Sequence, residues 1–193
     1  MKKIKKEELY SIPNCMGYFR ILLIPVFGWL YLREEPGSHY LAAGVILLSY
    51  FTDFLDGQVA RRFHMITEFG KFLDPVADKL THGAIALCLV FRYESMKYLF
   101  LLMVVKEGFM AVMGLINLRH GRKLEGAKWF GKVCTGSLFL LLFLLVIWPE
   151  IPRLWADRLI GLEIGVMALT LLLYIPEFYK MIQSWDRKQR EKQ

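Results

Sequence analysis

Residues 128–149 read KWFGKVCTGSLFLLLFLLVIWP, and beyond Lys132 this stretch carries no charged residue until Glu150. About 20 such residues in a helix cross the hydrocarbon core of a bilayer. The run is continuously apolar rather than alternating, which argues for a membrane helix and against a strand of an outer-membrane barrel. Working outward, similar blocks occupy roughly 13–33, 38–61, 72–92, 96–118 and 159–180, the first and third interrupted by polar groups. A hydrophobic fraction of 55% and a mean hydropathy of +0.36 agree with that density of apolar blocks. The expected fold is therefore an all-α integral membrane protein of six transmembrane helices. The basic segment MKKIKKEELYS ahead of them is expected to lie on the membrane as a short amphipathic helix. No small-residue cleavage site follows the first apolar run, so that run reads as an uncleaved span. No internal repeat or linker divides the 193 residues. A single domain is expected over 1–193, with a juxtamembrane segment at 1–12, a bundle at 13–182 and a cytoplasmic tail at 183–193.

Basic residues gather on one side of this arrangement. Most of the 25 lysines and arginines lie in the N-terminus, near Arg61, Arg62 and Lys71, around Arg119, Arg122, Lys123, Lys128 and Lys132, and in the C-terminal tail. Arg33, Arg92, Lys97, Arg153 and Arg158 are the few on the opposite side. The positive-inside rule places both termini in the cytoplasm of a multi-pass cell-membrane protein. The net charge of +7 suits an anionic lipid surface, and the basic residues sit at span ends, so nucleic acid is excluded as a partner. Cys15, Cys88 and Cys134 lack CxxC spacing and lie in or beside spans; buried thiols are expected, not ligands or disulfides. Trp148 and Trp155 suit an interfacial belt on the outer side.

Against this background, residues 53–78, DFLDGQVARRFHMITEFGKFLDPVAD, hold four aspartates, Asp53, Asp56, Asp74 and Asp78. A carboxylate inside a span costs on the order of 3 kcal/mol, so four mark a functional site. At helical spacing Asp53 and Asp56 stand about 60° apart and Asp74 and Asp78 about 40°, so each pair shares a face. If the second and third spans pack as antiparallel neighbours, the two acidic faces converge near the cytoplasmic surface. Like charges so close require protons or metal. An all-oxygen set without His or Cys suits hard cations, Mg²⁺, Mn²⁺ or Ca²⁺, and a pair of them is the arrangement that clamps the oxygens of a phosphoryl transfer. Gly57, Ala60 and Gly70 would let a bulky anion approach the backbone, although close helix packing explains small residues equally well.

The spacing Asp53-x2-Asp56-Gly57-x2-Ala60-Arg61-x8-Gly70-x3-Asp74-x3-Asp78 resembles the signature of the CDP-alcohol phosphotransferase family at all eight positions. The resemblance extends from about Ile12 to Thr135. There IPNCMGYFRILLIP, FLDPVADKL and AKWFGKVCT are similar to bacterial phosphatidylglycerophosphate and cardiolipin synthases. It implies a six-helix membrane enzyme, usually a homodimer, using two divalent cations, Mg²⁺ or Mn²⁺. The reaction it implies moves a phosphatidyl group from CDP-diacylglycerol to an alcohol and releases CMP. By matched position, Asp53, Asp56, Asp74 and Asp78 would be metal ligands, and Asp78 also the catalytic general base. Gly57, Ala60, Arg61 and Gly70 would line the CDP pocket.

The acceptor expected from this resemblance is glycerol 3-phosphate, with phosphatidylglycerol, the acceptor of a cardiolipin synthase, as the alternative. An anionic acceptor needs cations, for which Arg119, Lys128 and Lys132 are candidates, as are Lys106, well inside the fourth span beside Glu107, and Arg20, which the family motif includes. The resemblance to the phosphatidylglycerophosphate synthases implies Arg-Glu at these two positions, so Lys106 is a departure from it. His82, one turn beyond Asp78, reads as structural and receives no role. A divalent-cation transporter is the competing function from another class; it predicts acidic groups spread along the membrane normal, whereas these cluster at one end of two helices.

Overall fold

The structure is a computed structural model describing residues 10–33, 35–63, 65, 67, 69–119 and 128–190, backbone only at 71, 118, 119 and 180–190. Within them are six helices and no strands: α1 (Ile12–Leu32), α2 (Ser38–Arg62), α3 (Gly70–Val90), α4 (Met96–Arg119), α5 (Trp129–Ile147) and α6 (Arg153–Arg190). Helix boundaries expected from the apolar blocks agree to within a few residues except at α6, which starts earlier and runs on. At about 1.5 Å per residue, its 38 residues exceed a hydrocarbon core by far. The tail expected from 183 is thus, as far as Arg190, a continuation of the last helix. The juxtamembrane helix expected at 1–12 falls mostly on 1–9, outside the described residues.

By length and composition α1, α4, α5 and the Arg153–Tyr179 part of α6 can each cross a membrane. The first span, expected to be a weak one, qualifies; α2 and α3 do not. The reason is their polar load: Asp53, Asp56, Arg61 and Arg62 on α2, and Asp74, Asp78, Lys79 and His82 on α3. Leu22, Leu101, Leu140, Leu162 and Leu172 are exposed on these helices, the outward apolar surface of a protein solvated by lipid.

Two compact units divide the chain, one comprising residues up to Glu94 with Leu142–Pro152, the other Ser95–Leu141 with residues from Arg153 onward. In the first, α1 packs along both α2 and α3. The expected meeting of α2 and α3 is seen at Tyr50 and His82, which approach to 2.6 Å, but the larger interface of each is with α1. Small residues explain the close approach, because Ala42, Ala43 and Ala77 are buried and Gly17 of α1 faces the Leu73 side chain. A β-carbon at Gly17 would stand 2.9 Å from Leu73 Cδ2. Gly37, just before α2, has φ 82°, a left-handed conformation that only glycine adopts without strain. Pro13 suits the first turn of α1, where no intrahelical N–H is needed, and α1, α3 and α6 continue through Pro25, Pro75 and Pro176.

In the second unit α4 packs on α6, with Phe109 edge-on to Phe178 at 5.5 Å. Phe130 and Tyr174 meet at 4.7 Å, and Gly131 leaves the space that the Tyr174 hydroxyl enters. Ser137 donates to Glu163 at 3.1 Å, a pairing that satisfies a buried carboxylate on α6. The cysteines are free; Cys134 is buried and Cys88 half-buried, but Cys15 is exposed, contrary to the expectation of buried thiols, because it sits in the first turn of α1.

Candidate active site

The acidic residues of the first unit are drawn together around a guanidinium. Arg20, on α1 and 2% exposed, pairs through Nη1 with Asp53 Oδ1. Through Nη2 it reaches Asp56 Oδ2 at 3.1 Å and Asp74 Oδ1 at 3.6 Å. Position explains the convergence. Arg20 lies on the helix that packs against both α2 and α3, so one fork-shaped side chain reaches carboxylates on each. Asp56 is buried, whereas the side chains of Asp53 and Asp74 remain 43% and 46% exposed. Asp78 stands apart from the guanidinium but close enough to Asp53 for their charges to interact. All four aspartates therefore belong to one electrostatic cluster.

Asp78 has its own partner. His82 Nδ1 lies 3.0 Å from the Asp78 carbonyl oxygen and 3.4 Å from its Oδ1. The far ring nitrogen, Nε2, is 2.6 Å from the Tyr50 hydroxyl of α2. His82 itself is buried.

The residues expected to line a CDP pocket lie beside this cluster. At Gly57 the nearest atom an added β-carbon would meet is Arg61 Nη2, at 3.7 Å, so the helix surface there is bare apart from an exposed arginine. Ala60 is half-buried, and its carbonyl accepts the Met65 N–H at 3.0 Å. Gly70 is held in a polar nook: its N–H donates to Thr67 Oγ1 at 2.9 Å, and Asn14 Nδ2 donates to the same oxygen at 3.3 Å. A β-carbon at Gly70 would stand 2.6 Å from Asn14 Oδ1 and 3.0 Å from Thr67 Oγ1. The start of α3 is thereby pinned to the start of α1, and Asp74 follows one turn later. Gly70→Ala is expected to lower stability by about 1–3 kcal/mol, the usual consequence of overpacking. A thermal-shift measurement in detergent checks this, and an unchanged midpoint would contradict the close fit.

The cations expected at the acceptor, Arg20 aside, belong to the second unit. Lys106 is buried and donates to Glu107 Oε1 at 2.7 Å. Glu163 and Tyr174 are close enough to feel its charge. Lys128 pairs with Glu177 at 3.4 Å, and Lys132 is exposed. The Arg119 side chain is outside the described residues.

Among the described residues no three His, Cys, Asp or Glu side chains already form a metal cage; Arg20 stands between the carboxylates. The donor set nonetheless fits a hard cation. It is all carboxylate, three aspartates share one guanidinium with Asp78 beside them, and Asp74 Oδ1 is buried with an ion pair to Arg20 at 3.6 Å but no hydrogen bond.

The family model for CDP-alcohol phosphatidyltransferase matches residues 10–176, which takes in Arg20, all four aspartates and five helices with most of the sixth. The chain belongs to the CDP-alcohol phosphatidyltransferase family. It is an enzyme of that family, and its apolar helices make it a multi-pass membrane protein. Similar curated proteins include a CMP-forming cardiolipin synthase of Streptomyces coelicolor, 33% identical over 75% of this chain and 69% of that protein. A CDP-diacylglycerol–glycerol-3-phosphate 3-phosphatidyltransferase of Pectobacterium atrosepticum is 33% identical over 90% of this chain and 92% of its own length. The protein of that name from Escherichia coli K12 is 31% identical, over 86% and 90% respectively. Membership of a transferase family removes the ground for the transporter reading.

Sequence reasoning alone overlooked three features of this site: Arg20 as the hub of the carboxylates, the Asn14–Thr67–Gly70 nook, and Tyr50 behind His82. The i,i+4 spacing of Asp78 and His82 was a visible signal. Tyr50 gave none, since only the packing of α2 reveals its reach.

Proposed function

We propose that this phosphatidyltransferase moves the phosphatidyl group of CDP-diacylglycerol to the hydroxyl of glycerol 3-phosphate, releasing CMP and forming phosphatidylglycerophosphate. The observation that carries the reading is the gathering of Asp53, Asp56 and Asp74 onto one buried arginine, with Asp78 alongside, in a family defined by this chemistry. Glycerol 3-phosphate is favoured because relatives named for it align over nearly their whole length. A cardiolipin synthase using phosphatidylglycerol is the second reading, favoured by the Streptomyces relative at equal identity but lower coverage.

In this reading Asp53, Asp56, Asp74 and Asp78 hold two divalent cations, Mg²⁺ or Mn²⁺, which when bound neutralise the pyrophosphate and the departing CMP. Asp78 takes the proton of the acceptor hydroxyl as its oxygen bonds to the phosphatidyl phosphorus and the pyrophosphate P–O bond breaks. Arg61, beside the bare surface at Gly57, faces the diphosphate, and Ala60 and Gly70 keep the nucleotide close to the backbone. Positioning and charge stabilisation account for most of the acceleration in such a transfer. The architecture that goes with it is six membrane crossings preceded by an amphipathic segment at 1–12. Together they form one domain over 1–193, assembled as a homodimer in the cell membrane. Both termini and the aspartates lie on the cytoplasmic side, where a lipid donor keeps its acyl chains in the bilayer while its nucleotide meets a soluble acceptor.

The test is an acceptor panel. Protein in nanodiscs with Mg²⁺ or Mn²⁺ and CDP-diacylglycerol is expected to release CMP with glycerol 3-phosphate and to remain near background with phosphatidylglycerol, inositol phosphate or serine. CMP release with phosphatidylglycerol alone would replace this reading by the second one.

A further inference from the structure

His82 lies in the membrane helix α3, 4% exposed, with a defined partner at each ring nitrogen. Nδ1 faces two acceptors, the Asp78 carbonyl oxygen at 3.0 Å and Asp78 Oδ1 at 3.4 Å, so Nδ1 carries the proton. With the proton on Nδ1, the other nitrogen of a neutral imidazole, Nε2, is left to accept, and the Tyr50 hydroxyl stands 2.6 Å from it, placed to donate. One tautomer satisfies both contacts. Tyr50, on α2, thus fixes which nitrogen donates, and α3 aims that donor at Asp78.

We propose that His82, locked by Tyr50, is a positioning residue for Asp78: its Nδ1–H, bound to the Asp78 carbonyl oxygen, keeps the ring edge 3.4 Å from Oδ1, so that the positive N–H edge draws Oδ1 to that side and leaves Oδ2 to take the proton of the acceptor hydroxyl. The inference rests on the reading of Asp78 as general base. The Asp78 side chain is 34% exposed, so without an anchor it has rotamers to explore. A base effective only within hydrogen-bond reach of one proton loses rate when its carboxylate wanders.

Amide substitutions separate positioning from packing. In His82→Asn the amide nitrogen stands near the former Nδ1 and retains the donor. In His82→Gln the amide extends toward the Nε2 position and loses it. Removing an outer partner of this kind typically lowers activity about 10–100-fold. His82→Gln and His82→Ala are therefore expected to lose at least about tenfold in kcat, and His82→Asn to stay within about threefold of wild type. Tyr50→Phe should fall between them, and KM for CDP-diacylglycerol should be unchanged throughout. Wild-type kcat in His82→Ala and His82→Gln, or an equal loss in His82→Asn and His82→Gln, would overturn the proposal. Should His82→Ala not fold, the Asn/Gln pair and Tyr50→Phe decide. Asp78→Asn serves as the reference: if it is inactive while the His82 variants are unaffected, only this inference falls. If Asp78→Asn turns over normally, the assignment of the base falls and takes the inference with it.

Discussion

Asp56→Asn is expected to lower CMP formation by at least about a hundredfold, and up to about a thousandfold, in a protein that still folds. Asparagine keeps the volume and one oxygen of aspartate but removes its charge. Asp56 is the buried member of the cluster, 3% exposed, so water does little to screen or replace that charge. A cation held there would lose a ligand, and the phosphoryl group would lose the compensation it needs as CMP departs. Stability should fall by less than in Arg20→Ala, because Arg20 keeps Asp53 and Asp74 as charged partners and the substituted amide still offers it a carbonyl oxygen. CMP release and thermal unfolding measured on one preparation check both halves of the expectation. Activity within threefold of wild type would remove Asp56 from the site.

Arg20→Ala is expected to show the opposite pattern in the absence of added cations, a large loss of stability. Removing one partner of a buried ion pair typically destabilises by about 3–5 kcal/mol, since the other charge is left without compensation. The contacts are unequal in value. Asp53 and Asp74 are nearly half exposed, and pairs with that much water contribute about 0–1 kcal/mol. Most of the loss must come from Asp56, whose side chain is 4% exposed, and from the stem of Arg20 itself. Millimolar Mg²⁺ or Mn²⁺ should restore part of the midpoint, because a divalent ion can take over the neutralising role of the guanidinium. Arg20→Lys should be intermediate, keeping the charge but losing the fork that reaches three carboxylates. Thermal unfolding of the three proteins with and without Mg²⁺ is the check. An Arg20→Ala protein as stable as wild type, or one indifferent to the ion, would show that the arginine is not what holds the carboxylates together.

Much of this was legible in the sequence, for physical reasons that differ by element. The blocks that became α1 to α5 are bounded by charge, Gly and Pro, and continuously apolar runs of that length favour helix over strand, so their limits were readable from the sequence. The end of α6 was not legible in the same way. From Tyr179 onward the sequence turns polar, but nothing in MIQSWDRKQR stops a helix, and the element continues past the apolar run to Arg190. The aspartates stood out because charge in an apolar setting demands a reason. Which helix would unite them was hidden: pairwise packing of α2 on α3 was the simpler expectation, and α1 proved to be the shared partner because Gly17, Ala42, Ala43 and Ala77 allow close approach on both sides. Small residues announce close packing without saying against what. Arg20 read as one cation among several for an acceptor, since its sequence neighbours are apolar and its carboxylate partners lie 33 or more residues away.

Titration of the nanodisc-embedded protein with Mn²⁺, followed by electron paramagnetic resonance with and without CDP, tests the metal–nucleotide site most directly. Saturable binding that CDP strengthens, and that disappears when Asp53 and Asp56 are both replaced by asparagine, is expected. Binding that survives this double replacement, or no saturable binding under conditions where CMP is released, would contradict a cation site built from these aspartates.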